Sequence, residues 1–172
     1  MHARLFCLIG MSLWPAATVE RQAAPPAALP RELRTHVQNE RFDVVSSLSG
    51  LPAGVRNELR MLFGSRTLDI ADPGAAFQAA AETGSKLPAR RLVAAACSRE
   101  DCLVYYERGG SARTWRVALF HWRPNGTKLE WGGVAPGGLT TIHDVRSAIL
   151  SGAIKSSAGP WAAGSAILSG GR

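Results

Sequence analysis

Cys97 and Cys102 enclose Ser98-Arg99-Glu100-Asp101, and a four-residue loop between two strands would set their sulfurs opposite each other. In an oxidising compartment that spacing reads as a disulfide pinning a hairpin, worth about 2 kcal/mol in the chain-entropy model. Free thiols, metal ligation or a redox-active pair are the competing readings. Redox work is disfavoured, because the spacing is not Cys-x-x-Cys and two carboxylates beside the sulfurs oppose a thiolate.

Histidine could supply a general base. In the simplest hairpin register His121 faces Glu130, which would orient its imidazole. His143 stands one helical turn before Ser147, so a base and a hydroxyl could meet there as in a small hydrolase. A position near a helix N-terminus is a poor place to carry the positive charge that such a base acquires. His36 falls in no motif. The chain has no Gly-x-Ser-x-Gly elbow, His-Glu-x-x-His pair, phosphate-cradling loop or dinucleotide fingerprint. The sequence therefore nominates no catalytic residue and calls for no cofactor and no metal. Asn125-Gly126-Thr127 matches a glycosylation acceptor, but its place at a hairpin tip already explains it.

The remaining chemistry is aromatic. With simple pairing, Tyr106, Phe120, Trp122 and Trp131 fall on one face of a sheet with Arg116 among them, and Leu103, Tyr105, Val117 and Leu119 fall on the other. Tyr106, Arg116, Trp122 and Trp131 form the candidate binding surface, since aromatic and arginine side chains favour such contacts. The competing reading is core packing, because a sheet apolar on both faces is normally covered on both.

These residues need elements to hold them. Leu92 to Cys97, Cys102 to Arg108, Thr114 to Trp122 and Thr127 to Trp131 are β-prone runs divided by turns, which predicts a four-stranded antiparallel meander. Asn125-Gly126 suits a type I′ turn, placing Trp122 opposite Leu129 and Phe120 opposite Trp131, although it also faces Arg123 with Lys128. Upstream, Pro30 opens a first helical turn at Arg31-Glu32-Leu33, and Phe42, Val45 and Leu48 continue at helical spacing as far as Gly50. Pro52 opens a second helix with Val55, Leu59 and Leu62 on one stripe, Phe63 beside it and Gly64 as its stop. Between Arg66 and Leu87 the signals are mixed: a short strand at Thr67 to Ile70, a turn at Asp72-Pro73-Gly74, and helical character from Ala75 to Ala81. Gly132-Gly133 and Pro136-Gly137-Gly138 read as a loop. Thr141 then stands three residues before Asp144, a capping-box variant that starts a last helix carrying Ile142, Val145 and Ile149.

Tyr106-Glu107-Arg108-Gly109-Gly110, the run Trp115 to Trp122 and Glu130-Trp131-Gly132-Gly133 together resemble small uncharacterised exported bacterial proteins. The resemblance spans the middle third of the chain, implies export, and carries over no functional residue.

Export is also written at the start. Leu5 to Trp14 is an apolar run behind Arg4 and ahead of Pro15-Ala16-Ala17-Thr18, a secretory signal pattern too short to span a bilayer. The expected organisation is a signal peptide at 1–18, an Ala/Pro-rich tether at 19–29, a single α+β domain at 30–155 and a loosely ordered tail at 156–172. In that tail Ser165 to Gly170 repeats Ser147 to Gly152 letter for letter. With 172 residues a domain of this size can bury roughly two-thirds of its unfolded surface and needs no metal to fold. The charge of +7, from 20 basic and 13 acidic residues, is spread without clustering, which argues against nucleic acid as a partner. No transmembrane segment is expected beyond the signal. The expected function is an exported, non-enzymatic module that binds a protein partner or small ligand. A small secreted hydrolase using His121 or His143, and a structural envelope protein, are the alternatives.

Overall fold

The computed structural model describes residues 29–81 and 84–156. The expected signal peptide, most of the tether and all of the tail after Ser156, with the second hexapeptide copy, lie outside them. The described chain is α+β. Its elements in order are α1 (Arg31–Asn39), β1 (Asp43–Val45), a 3-10 turn (Leu48–Gly50), α2 (Ala53–Leu62), β2 (Arg90–Cys97), β3 (Asp101–Arg108), β4 (Thr114–Arg123), β5 (Gly126–Ala135), α3 (Ile142–Leu150) and β6 (Lys155–Ser156). The strands form one antiparallel sheet in sequence order. The expected four-stranded meander is β2 to β5; β1 and β6 extend it by a short strand at each edge.

Local signals account for the elements that match expectation. In α2, Val55 and Leu59 are buried and Leu62 packs beside them, while Gly64 ends the run at φ 63°, a value that glycine adopts without Cβ strain. At the start of α3, the Thr141 hydroxyl accepts from the Asp144 N–H at 3.1 Å and the Asp144 carboxylate accepts from the Thr141 N–H at 3.1 Å, completing the capping box.

Four expectations are corrected. Residues 42–47 form no helix, and only the 3-10 turn from Leu48 follows: Val44 and Val45 pair with Ala96 and Ala95, so Phe42 packs on one side of the sheet and Val45 on the other. A ready strand edge and two β-branched residues outweigh the helical spacing. Thr67 to Ile70 forms no strand, and the only pairing there is a parallel bridge from Ala71 to Arg91. Ala75 to Ala81 is not helical but irregular, bending at Ala75 and Ala80, with Phe77 buried beneath the Arg91 and Arg113 guanidiniums. Gly132 and Gly133 lie inside β5 rather than in a loop, paired with Ala118 and Val117; ladder bonds on the β4 side override their loop preference.

The β4–β5 turn is also displaced. Arg123 pairs with Gly126, so the turn residues are Pro124 and Asn125. A type I′ turn needs positive φ at both central residues, which Pro124 cannot supply, and no non-glycine among the described residues has positive φ. Trp122 therefore faces Thr127, His121 faces Lys128 and Phe120 faces Leu129. This shift of two residues leaves each side chain on its expected face. The register then slips between Leu119 and Phe120, with Glu130 as the extra residue, so that Trp131 faces Leu119. One inserted residue moves Trp131 to the opposite face of the sheet.

Both faces are covered. One carries Leu103, Tyr105, Val117, Leu119 and Trp131 beneath Val37 of α1 and Val145 and Ile149 of α3. The other carries Val104, Tyr106, Ala118 and Phe120 beneath Val55 and Leu59 of α2, with Phe63 and Ile70 following. The helices α1 and α3 cap each other: Arg146 donates to the carbonyls of Val37, Gln38 and Glu40 at 2.8, 3.0 and 3.2 Å, and Arg34 donates to Leu150 O at 2.7 Å. Each arginine satisfies orphan carbonyls at the negative end of the partner helix. Part of the basic excess is spent inside the fold in this way.

Candidate functional site

Beside the stapled β2–β3 hairpin, two places among the described residues bring polar or aromatic groups together. Cys97 and Cys102 face each other across that hairpin and are bonded at an S–S distance of 2.06 Å. Its turn is held by Ser98, whose N–H donates to Asp101 O at 2.6 Å and whose hydroxyl accepts from the Asp101 N–H at 3.0 Å. The hairpin's end is thus fixed from within.

From it Asp101 points toward the α1 face. The residue is only 1% exposed, and a buried carboxylate must be paired. Its Oδ2 lies 3.1 Å from His36 Nδ1 and its Oδ1 lies 3.3 Å from His121 Nδ1, the latter being its register partner on β4. His36 on α1 and Glu40, which caps its C-terminal end, stand four positions apart, and His36 Nδ1 also lies 2.8 Å from Glu40 Oε1. Burial alone would lower the His36 pKa, but the hydrogen bond and charge of Asp101, with Glu40 adding to them, raise it above its usual 6.5. The second oxygen of Glu40 is buried with no hydrogen-bond partner among the described residues. His121 is thereby corrected as an oriented base: its partner is Asp101, and Glu130 pairs with Lys128 at 3.2 Å instead.

On the α2 face the same hairpin meets Trp122. Glu100 O accepts from the Trp122 N–H at 2.7 Å, Ser98 O lies 3.4 Å from the indole nitrogen, and Glu100 pairs with Arg123 at 3.4 Å. Held from that side, Trp122 is half-buried and forms one wall of a groove between the first turn of α2 and the β4–β5 turn. Pro52, Asn57 and Glu58 line the helix side; Arg123, Pro124 and Thr127 line the hairpin side. Gly54 lets the walls meet at the floor, since a Cβ there would stand 2.0 Å from Thr127 Oγ1. The groove holds about 350 Å³, within the roughly 300–1,000 Å³ typical of small-ligand pockets.

The other anticipated residues separate. Tyr106 and Arg116 are cross-strand partners beside Arg90 and Arg108, which face each other. The recess among them holds only about 10 Å³, room for roughly one water. Burial pushes the Tyr106 phenol up to about 12 against the pull of Arg116, Arg90 and Arg108, so it stays neutral there. Trp131 is buried on the opposite face. Of the four residues expected to form a binding surface, only Trp122 borders the groove. His143 is 90% exposed with Asp144 3.9 Å away.

Sequence reasoning missed His36, Glu40 and Asp101. Only the i, i+4 spacing of His36 and Glu40 was visible beforehand, because the cluster joins α1, the β2–β3 hairpin and β4.

In comparison with known proteins, no family model, no curated protein and no solved structure matches this chain, so its sites stand on their own geometry.

Proposed function

We propose that this chain is an exported, non-enzymatic binding module that holds a small neutral or zwitterionic ligand against Trp122. The observation that carries the reading is the groove itself: a half-buried indole on one wall, a polar rim, and a volume that excludes only large ligands. Glu58 and Arg123 bring opposite charges to the two walls, so the groove selects neither a net anion nor a net cation. An indole face with amide, hydroxyl and charged groups around it suits a molecule having both an apolar face and hydrogen-bonding edges. Export is supported by the apolar leader pattern and the disulfide. Among the described residues no helix is long and apolar enough to cross a membrane. The hydrolase reading has less support, since His143 is exposed.

The test is a ¹H–¹⁵N NMR titration with neutral mono- and disaccharides and N-acetylated dipeptide amides. At least one class is expected to shift the Trp122 indole and the amides of Gly54, Asn57 and Thr127, and Trp122→Ala is expected to abolish that shift while leaving the spectrum folded. A Trp122→Ala variant that lost stability and changed no binding would sink the reading.

A further inference from the structure

The cluster around Asp101 has the composition and dimensions of a metal site. Tetrahedral coordination with bonds of about 2.0–2.2 Å to nitrogen and oxygen sets neighbouring ligand atoms about 3.3 Å apart. His36 Nδ1 lies 2.8 Å from Glu40 Oε1 and 3.1 Å from Asp101 Oδ2. The three ligand atoms lie within 4.8 Å of one another. His36 Nδ1 is therefore already held beside a carboxylate oxygen on each side, slightly closer than an ion would set them.

Two further observations point to a cation. Glu40 Oε2 is buried without a hydrogen-bond partner among the described residues, a cost that buried oxygens normally avoid and that bidentate coordination by Glu40 would remove. His121 approaches the other oxygen of Asp101 at 3.3 Å, an arrangement in which an imidazole N–H fixes a ligating carboxylate from behind. Charge agrees, since Glu40 and Asp101 present two carboxylates for a cation to balance. The side chains of His36 and Glu40 are 41% and 30% exposed, so an ion can enter from solvent and a water can complete its shell.

We infer that His36, Glu40 and Asp101 bind one divalent ion of the zinc class, with His121 orienting Asp101. Mixed imidazole and carboxylate donors select zinc, cobalt or nickel over calcium, which prefers a larger all-oxygen shell. This site is independent of the Trp122 groove and lies toward the other face of the sheet. The ion would tie the C-terminal end of α1 to the stapled hairpin.

The test uses the full chain freed of metal by chelation, titrated with Zn²⁺ by calorimetry and with Co²⁺ by visible absorption. One ion per chain is expected, with ligand-field bands for cobalt and a rise in Tm with Zn²⁺ that chelator reverses. His36→Gln is expected to abolish the site, His121→Gln to weaken it about 10- to 100-fold, and His143→Gln, on the exposed side of α3, to leave it unchanged. His36 is on a partly exposed helix face, so its variant should fold; circular dichroism checks this, and the wild-type stoichiometry and reversible Tm shift stand without it. No saturable site, or one that survives His36→Gln in a folded chain, overturns the inference.

Discussion

The two faces of this sheet are equally apolar along β3 and β4, yet they are finished differently. The α1/α3 face lies under two helices whose arginines cap each other's carbonyl ends, and Trp131 is buried beneath them. The other face has a single ten-residue helix, about 15 Å long, against a ten-residue β4 that runs roughly 34 Å. One helix cannot cover that length. Where the first turn of α2 meets the β4–β5 turn the cover thins, and Trp122 is left half-buried over the groove. An open aromatic here is therefore a product of the covering layer and not of the strand that carries it.

That contrast is sharpest between residues two apart on the same strand and face. Phe120 is fully buried and Trp122 is not. Phe120→Ala is expected to cost about 3–5 kcal/mol in urea denaturation, whereas Trp122→Ala, though it removes the larger side chain, is expected to cost clearly less. Equal costs would mean that Trp122 is a core residue and the groove an accident of packing. Leu119→Ala, on the face with two helices, should cost about 2–5 kcal/mol, which places both buried layers on one scale.

The stapled hairpin touches both sides, so removing the staple tests whether they are coupled. Replacing Cys97 and Cys102 with alanine is expected to lower stability by about 2 kcal/mol. Because Asp101, Ser98 and Glu100 lie between the two cysteines, the same change should broaden NMR resonances of both His121 and Trp122. Broadening on one side only would show that the hairpin serves one site.

How far the fold was legible follows from the range of each signal. The α2 stripe, the capping box at Thr141 and the paired cysteines each depend on residues within a few positions, and each was readable. The β4–β5 turn sits one residue earlier than Asn125-Gly126 alone predicts, because Pro124, whose fixed φ suits the first central position of a common β-turn, takes that position with Asn125 after it. The slip at Glu130 left no local mark, and it alone moved Trp131 off the expected surface. Residues 42–48 had helical spacing, but a strand edge formed by residues fifty positions away decided their state. The Asp101 cluster was hidden for the same reason: His36, Glu40, Asp101 and His121 become neighbours only when α1 docks on the assembled sheet.

The smallest expected effect concerns the cover of the α1/α3 face alone. Thr141→Ala removes the cap of α3 and is expected to cost about 1 kcal/mol while leaving the Trp122 resonance unmoved, since α3 does not reach the groove side. The cap also gives that face its own acid sensitivity. The hydrogen bond from the Thr141 hydroxyl, helped by the backbone N–H groups of Thr141 and Thr140, holds the Asp144 carboxyl below its ordinary 3.8. A depressed carboxyl pKa contributes stability that is present above 3.8 and is lost as pH falls through the lower, folded value. Asp144→Asn should therefore narrow the stability gap to wild type as pH drops below that window, and Thr141→Ala should flatten the same acid limb. A wild-type acid limb that both variants retain in full would place the sensitivity elsewhere, and α3 would then be a cover held by its buried face and by Arg34 and Arg146 rather than by its cap.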